Sequence, residues 1–169
     1  MTAHGDPTLD RLFRQEVWVL RKLFAFLRSV PEDVLAMTAP NTGWDVSVLL
    51  THIVSASVTY AARIDGRPDA DLQPPDTHAD LAAMEVEAIA AAERLRELAA
   101  EGSDAEVVEV DGERTWRYPR SLILAQSIYH AIEHRAQLFG VLTANGVTGM
   151  TLDDLDHWTY GGDEGVLSS

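Results

Sequence analysis

Apolar residues recur at Leu9, Leu12, Phe13, Val17, Leu20, Leu23, Phe24 and Leu27, the three-and-four spacing that lays one stripe along a helix. The pattern predicts a first helix over 8–29. Glu16 falls inside that stripe; because carboxylates are rarely buried unpaired, it is expected at a partly exposed end. The alternative places it near the helix-packing axis as a metal ligand or the partner of one. A second stripe, Val46, Leu49, Leu50, Ile53, Ser57, Tyr60 and Ile64, predicts a helix over 46–65 behind Asp45, a suitable N-cap. His52 lies on the adjoining edge of that helix.

Residues 66–76, with Pro68, Pro74 and Pro75, carry no helical pattern and form a connection. Fully extended it spans about 36 Å, more than the roughly 30 Å of the helix before it. It can therefore cross over to a third helix running parallel to the second. That helix is predicted over 78–101, with Thr77 as its cap, Leu81, Met84, Ile89, Leu95 and Leu98 as its apolar face, and Gly102 as its stop.

Over 105–118 the pattern changes: Asp111-Gly112 sits between β-branched and aromatic runs, the signal of a tight hairpin and hence of a small two-stranded flap. Pro119 suits the first turn of a fourth helix reaching about Asn145 and stopping at Gly146. The tail 150–169 is acidic and aromatic, with room for a helical turn. The predicted fold is all-α: a four-helix bundle with a long crossover between helices two and three and a small β-hairpin before helix four, as one domain over 1–169.

Composition narrows the chemistry. There is no cysteine, so a metal can be held only through nitrogen and oxygen. Acidic residues outnumber basic ones 27 to 13, a formal charge of −14, which disfavours binding to phosphate backbones. No run approaches the roughly 18 apolar residues of a membrane span, and the polar, acidic start is unlike a secretory signal. The expectation is a cytoplasmic protein that engages neither membrane nor nucleic acid.

His130 and His134 stand four apart on the fourth helix, where two imidazoles can face one ion. Such a pair arises by chance in roughly one chain of this composition in five, so its setting has to carry the argument. Gln126, His130, His134 and Gln137 form one polar stripe on a helix otherwise lined by Ile123, Leu124, Ile128, Ile132, Leu138, Phe139 and Leu142. Inward-facing polar side chains need partners, and facing histidines inside helical proteins are where metal sites are built. His52, within the apolar run 48–54, supplies a third ligand.

Three neutral nitrogens suit a late first-row divalent ion such as zinc or nickel, and three protein ligands leave a coordination position open. The string HAIEH also fits H-x-x-E-H, in which a glutamate serves as general base. Only Glu164 remains downstream as a further glutamate ligand, so Glu133 is expected to be solvated and paired with Arg135 or another cation. Its alternative role is to orient an imidazole. His4 and His78 are expected at the surface; His157, among aromatic residues, can fold over the cavity mouth.

Three blocks carry a family resemblance: N-T-G-W-D-V-S-V-L-L-T-H ending at His52, Y-H-A-I-E-H-R-A-Q-L-F-G-V-L with His130 and His134, and L-D-H-W-T-Y-G in the tail. The chain resembles the DinB-like (damage-inducible, YfiT-related) metalloproteins over nearly its whole length. The resemblance implies an antiparallel-plus-crossover four-helix bundle, one divalent ion on His52, His130 and His134, and a homodimer. It implies no relation to the similarly named DNA polymerase. Some relatives transfer or isomerise with low-molecular-weight thiols, mycothiol or bacillithiol, bound to the metal through sulfur. The implied function is a metal-dependent enzyme of the thiol S-transferase type; the alternatives are a non-catalytic metal-binding or regulatory bundle and a metal-dependent hydrolase.

Overall fold

The computed structural model describes residues 6–40, 42–69 and 71–167; the position of His4 lies outside them. Four long helices dominate: α1 (Pro7–Ser29), α2 (Val46–Asp65), α3 (His78–Ala100) and α4 (Arg120–Ala144). A short α5 (His157–Asp163) follows, and one hairpin of β1 (Glu106–Asp111) and β2 (Arg114–Pro119) separates α3 from α4. The protein is mainly helical, with that single antiparallel pair among the described residues.

The helix starts are fixed locally. Asp6 caps α1, and Asp45 caps α2 by accepting from the Val48 amide at 2.8 Å. Thr77 and Asp80 form a reciprocal capping box at the start of α3. Gly66, at φ +66°, closes α2 in the left-handed conformation that a side chain disfavours. The hairpin turn differs by one residue from its sequence reading. Asp111 pairs with Arg114, so the turn residues are Gly112 and Glu113, with Gly112 alone at positive φ; glycine at the first turn position matches the twist of the strands. Pro119 likewise precedes α4 as its N-cap.

The predicted stripes form the core. Phe13, Leu20, Leu23, Phe24 and Leu27 of α1 pack with Leu81, Met84 and Leu95 of α3, and α3 in turn packs against α2, as does α4. Ser57, within the stripe of α2, is buried without cost to its hydroxyl, which donates to the Ile53 carbonyl at 3.2 Å. By length and composition α2 does qualify as long and apolar enough to cross a membrane, with a mean hydropathy of 1.2, against the expectation of no such run. Here its apolar residues are packed against α3 and α4.

Four expectations are corrected. Glu16 is buried, not exposed, and Arg135 beside it is buried too; Arg135 Nη1 donates to Glu16 Oε1 at 2.6 Å. Arg135 is therefore not the partner of Glu133, which is exposed. The tail docks on α1, with Gln15 donating to the Leu155 carbonyl at 2.9 Å, Trp18 to Asp163 at 3.2 Å, and Tyr160 edge-on to Trp18. His157 accordingly lines a cavity with Leu12 and Glu16 of α1, to which none of His52, His130 and His134 contributes, so it does not cover the histidines. His78 is half-buried, its Nε2 2.9 Å from the Val30 carbonyl, and joins the start of α3 to the end of α1.

Removing one member of a buried ion pair leaves the other charge uncompensated, at a cost of about 3–5 kcal/mol. Urea unfolding of Glu16→Gln should therefore show a loss of at least about 3 kcal/mol, largely recovered in a Glu16→Leu/Arg135→Met double variant. A loss under about 1 kcal/mol, the behaviour of a solvated pair, would contradict the assignment.

Candidate metal centre

His52 projects from the middle of α2, and His130 and His134 from consecutive turns of α4. The buried Glu16–Arg135 pair fixes how α4 is rotated. Successive residues are about 100° apart around a helix, so with Arg135 turned towards α1, His134 faces α2. Ring centroids then lie 4.7 Å apart for His52 and His130, 4.4 Å for His52 and His134, and 4.3 Å for His130 and His134.

One nitrogen from each ring lies within 4.8 Å of the other two. His130 Nε2 and His52 Nε2 are 3.0 Å apart. Two nitrogens bound at about 2.05 Å to one tetrahedral ion lie roughly 3.3 Å apart, so a few tenths of an ångström separates this pair from a ligating geometry. His134 Nδ1 is 2.8 Å from Gln137 Oε1. A proton held there on Nδ1 leaves the Nε2 lone pair free, the arrangement in which a neighbour sets the tautomer of a ligating imidazole. Three neutral nitrogens with no carboxylate in the group, among the described residues, suit a late first-row divalent ion.

Aromatic walls flank the cluster. Trp44 lies 4.8 Å from His52 and 6.0 Å from His134, centroid to centroid, and Tyr60 stands edge-on to His130 at 5.9 Å. In the sequence Tyr60 stands only as a core position of its helix, and Trp44 only within the block that ends at His52. The W of N-T-G-W, eight residues before the histidine, was the available signal. Of the predicted polar stripe, the two histidines are half-buried while Gln126 and Gln137 are exposed. The third member of the group is His52 and not a downstream glutamate, so the ligand set is not that of the H-x-x-E-H pattern, and Glu133, its would-be base, is exposed.

Burial, then the neighbouring His134 and His52, pushes His130 down to about 4; burial and His134 lower His52 as well. Both rings are held neutral, the form that binds a metal. The consequence for stability has a definite sign. A folded-state pKa below the ordinary value near 6.5 means that the unfolded chain takes up the proton first, so stability is complete above 6.5 and falls as pH drops towards 4. Chelator-treated protein should therefore lose more melting temperature between about pH 7 and pH 5 than the His130→Gln variant does. Equal losses would show that these rings do not titrate with folding.

The chain matches the DinB family over residues 1–164. Its fold is similar to that of a DinB family member protein from Shewanella denitrificans, with a TM-score of 0.57 at 15% identity over 88% of each chain. No curated protein matches the sequence. With a family match over almost the entire length and a solved relative of the same fold, the chain belongs to the DinB family.

Proposed function

We propose that the protein binds one divalent metal ion, zinc or nickel, through His52, His130 and His134, and uses the open coordination position as a metal-dependent enzyme of the thiol S-transferase type. The observation that carries the metal is the convergence of three imidazole nitrogens within 4.8 Å, from residues 78 positions apart in sequence. The thiol follows from the resemblance to thiol-using relatives and from the chemistry of an open three-nitrogen site. A bound divalent ion would supply a Lewis acid that stabilises the anionic form of a sulfur or oxygen ligand. The chain's own contribution is orientation and shielding: Gln137 holds the His134 tautomer, while Trp44 and Tyr60 border the cluster.

The same proposal takes the four long helices as a single four-helix bundle with the connection 66–77 as its crossover, supported by the packing of α1 on α3, α3 on α2, and α2 on α4. It also takes the protein as a homodimer. Ala125, Tyr129, Ile132 and Ala136 make an outward stripe on α4 at the alternating four- and three-residue spacing of a helix seam, and Tyr129 and Ile132 are 75% and 51% exposed.

Elemental analysis of metal-reconstituted protein should find close to one zinc or nickel ion per chain, reduced to background in His130→Ala; full occupancy in that variant would remove the assignment. The thiol step is tested separately on cobalt-substituted protein, where mycothiol or bacillithiol should produce a sulfur-to-cobalt charge-transfer band. No band with either thiol would leave the metal site standing and end the transferase reading. For the dimer, light scattering should give twice the chain mass for the native protein and a monomer for Tyr129→Glu/Ile132→Glu.

A further inference from the structure

Beside the histidine cluster lies an open-sided cavity of about 280 Å³, bordered by α2, the hairpin and the first turns of α4. That volume is at the small end of ligand sites, which run from roughly 300 to 1,000 Å³. Tyr60 belongs to both places: its ring stands edge-on to His130 at 5.9 Å, and it lines the cavity. Ile123, Gln126 and His130 follow one another along a single face of α4 at helical spacing, so the cavity continues the face that carries the histidines.

The walls define what fits. Trp116 and Tyr118 of β2 and Tyr60 of α2 are aromatic, and Leu122 and Ile123 are aliphatic, surfaces that favour a flat apolar body. Trp116 is 51% exposed, with one side turned to the cavity. The polar groups are few. Tyr118 donates its hydroxyl to Glu109, and Glu109 Oε1 lies 3.3 Å from Arg63 Nη2. Arg63 lines the cavity, and its side chain is 36% exposed. A guanidinium carries five N–H donors, of which the contact with Glu109 occupies one nitrogen, Nη2. Glu109 and Tyr118 together steady the guanidinium.

We infer that this cavity is a binding site for a small flat aromatic molecule bearing an sp2 oxygen acceptor, a carboxylate or an amide carbonyl, with the Arg63 guanidinium as donor and Trp116 as wall. The inference rests on the metal reading only for supposing that such a molecule is a substrate; binding itself needs no ion. The hairpin is then the specificity element of the site, and α4 the rail between recognition and reaction.

The test is a ligand titration followed by 19F NMR on the full chain, metal-loaded and chelator-treated, with 4-fluorobenzoate, 4-fluorobenzamide and fluorobenzene as probes. At least one carbonyl probe should bind about tenfold or more tighter than fluorobenzene in both metal states, with a similar loss in Arg63→Gln. Trp116→Ala, a change at a half-exposed strand position that leaves the helices untouched, should weaken it as well. Equal binding of all three probes, or carbonyl-probe affinity unchanged in Arg63→Gln, would overturn the inference. So would binding that vanishes in His130→Gln and persists in Arg63→Gln, because the acceptor would then sit on the metal. The chelated arm keeps the outcomes apart: metal analysis decides the histidine centre, and Arg63-dependent binding without metal decides the cavity.

Discussion

The buried pair between Glu16 and Arg135 sets the rest of the arrangement. α4 packs closely on α2 and only lightly on α1, so contacts between apolar side chains leave its rotation about its own axis weakly determined. A 2.6 Å charge-assisted hydrogen bond to α1 removes that freedom, because any other rotation would bury two unpaired charges. Arg135 immediately follows His134, and the choice of rotation is therefore also the choice of which way the imidazoles face. A buried ion pair is seldom a large net source of stability; its value here is in specifying one arrangement among several of similar packing.

Once α4 is rotated in this way, three basic rings are crowded within a few ångströms. Burial, together with repulsion from the neighbouring rings, keeps His130 and His52 neutral. The fold thus concentrates imidazole nitrogens in one place, with His130 Nε2 and His52 Nε2 3.0 Å apart. Gln137 and the two aromatic walls limit how those rings can turn away, so the cluster is held in an arrangement that could take a metal ion.

Much of this was legible in the amino-acid order. The stripes of α1, α2 and α3, the caps Asp45 and Thr77, and the change of period at the hairpin are local signals, and the structure places them within a residue or so of where the pattern does. His130 and His134 were legible as a pair because helical spacing is also local. Glu16 and Arg135 were not. A carboxylate within an apolar stripe looks like an error until the cation that neutralises it is known, and that cation lies 119 positions away. Arg63 was missed for the same reason, since its significance depends on Glu109 and Tyr118 from a different element. The docking of the tail was only half visible: its aromatic residues announced a packed segment, but the partner, Trp18, stands on the outer edge of α1, outside the stripe that the pattern reveals.

The hairpin has a consequence of another kind. Its strands reach the helices through a few side chains, Glu109 to Arg63 and the base at Arg120, whose amide donates to the Ala105 carbonyl at 3.1 Å, while its turn, Gly112 and Glu113, is free of the core. Residues at that tip and on the outer faces of its strands can be exchanged, added or lost without disturbing the rotation of α4. Descendants of such a chain can therefore explore new small molecules while the histidine cluster stays as it is, and diversification within the fold is expected to concentrate in this loop of the molecule.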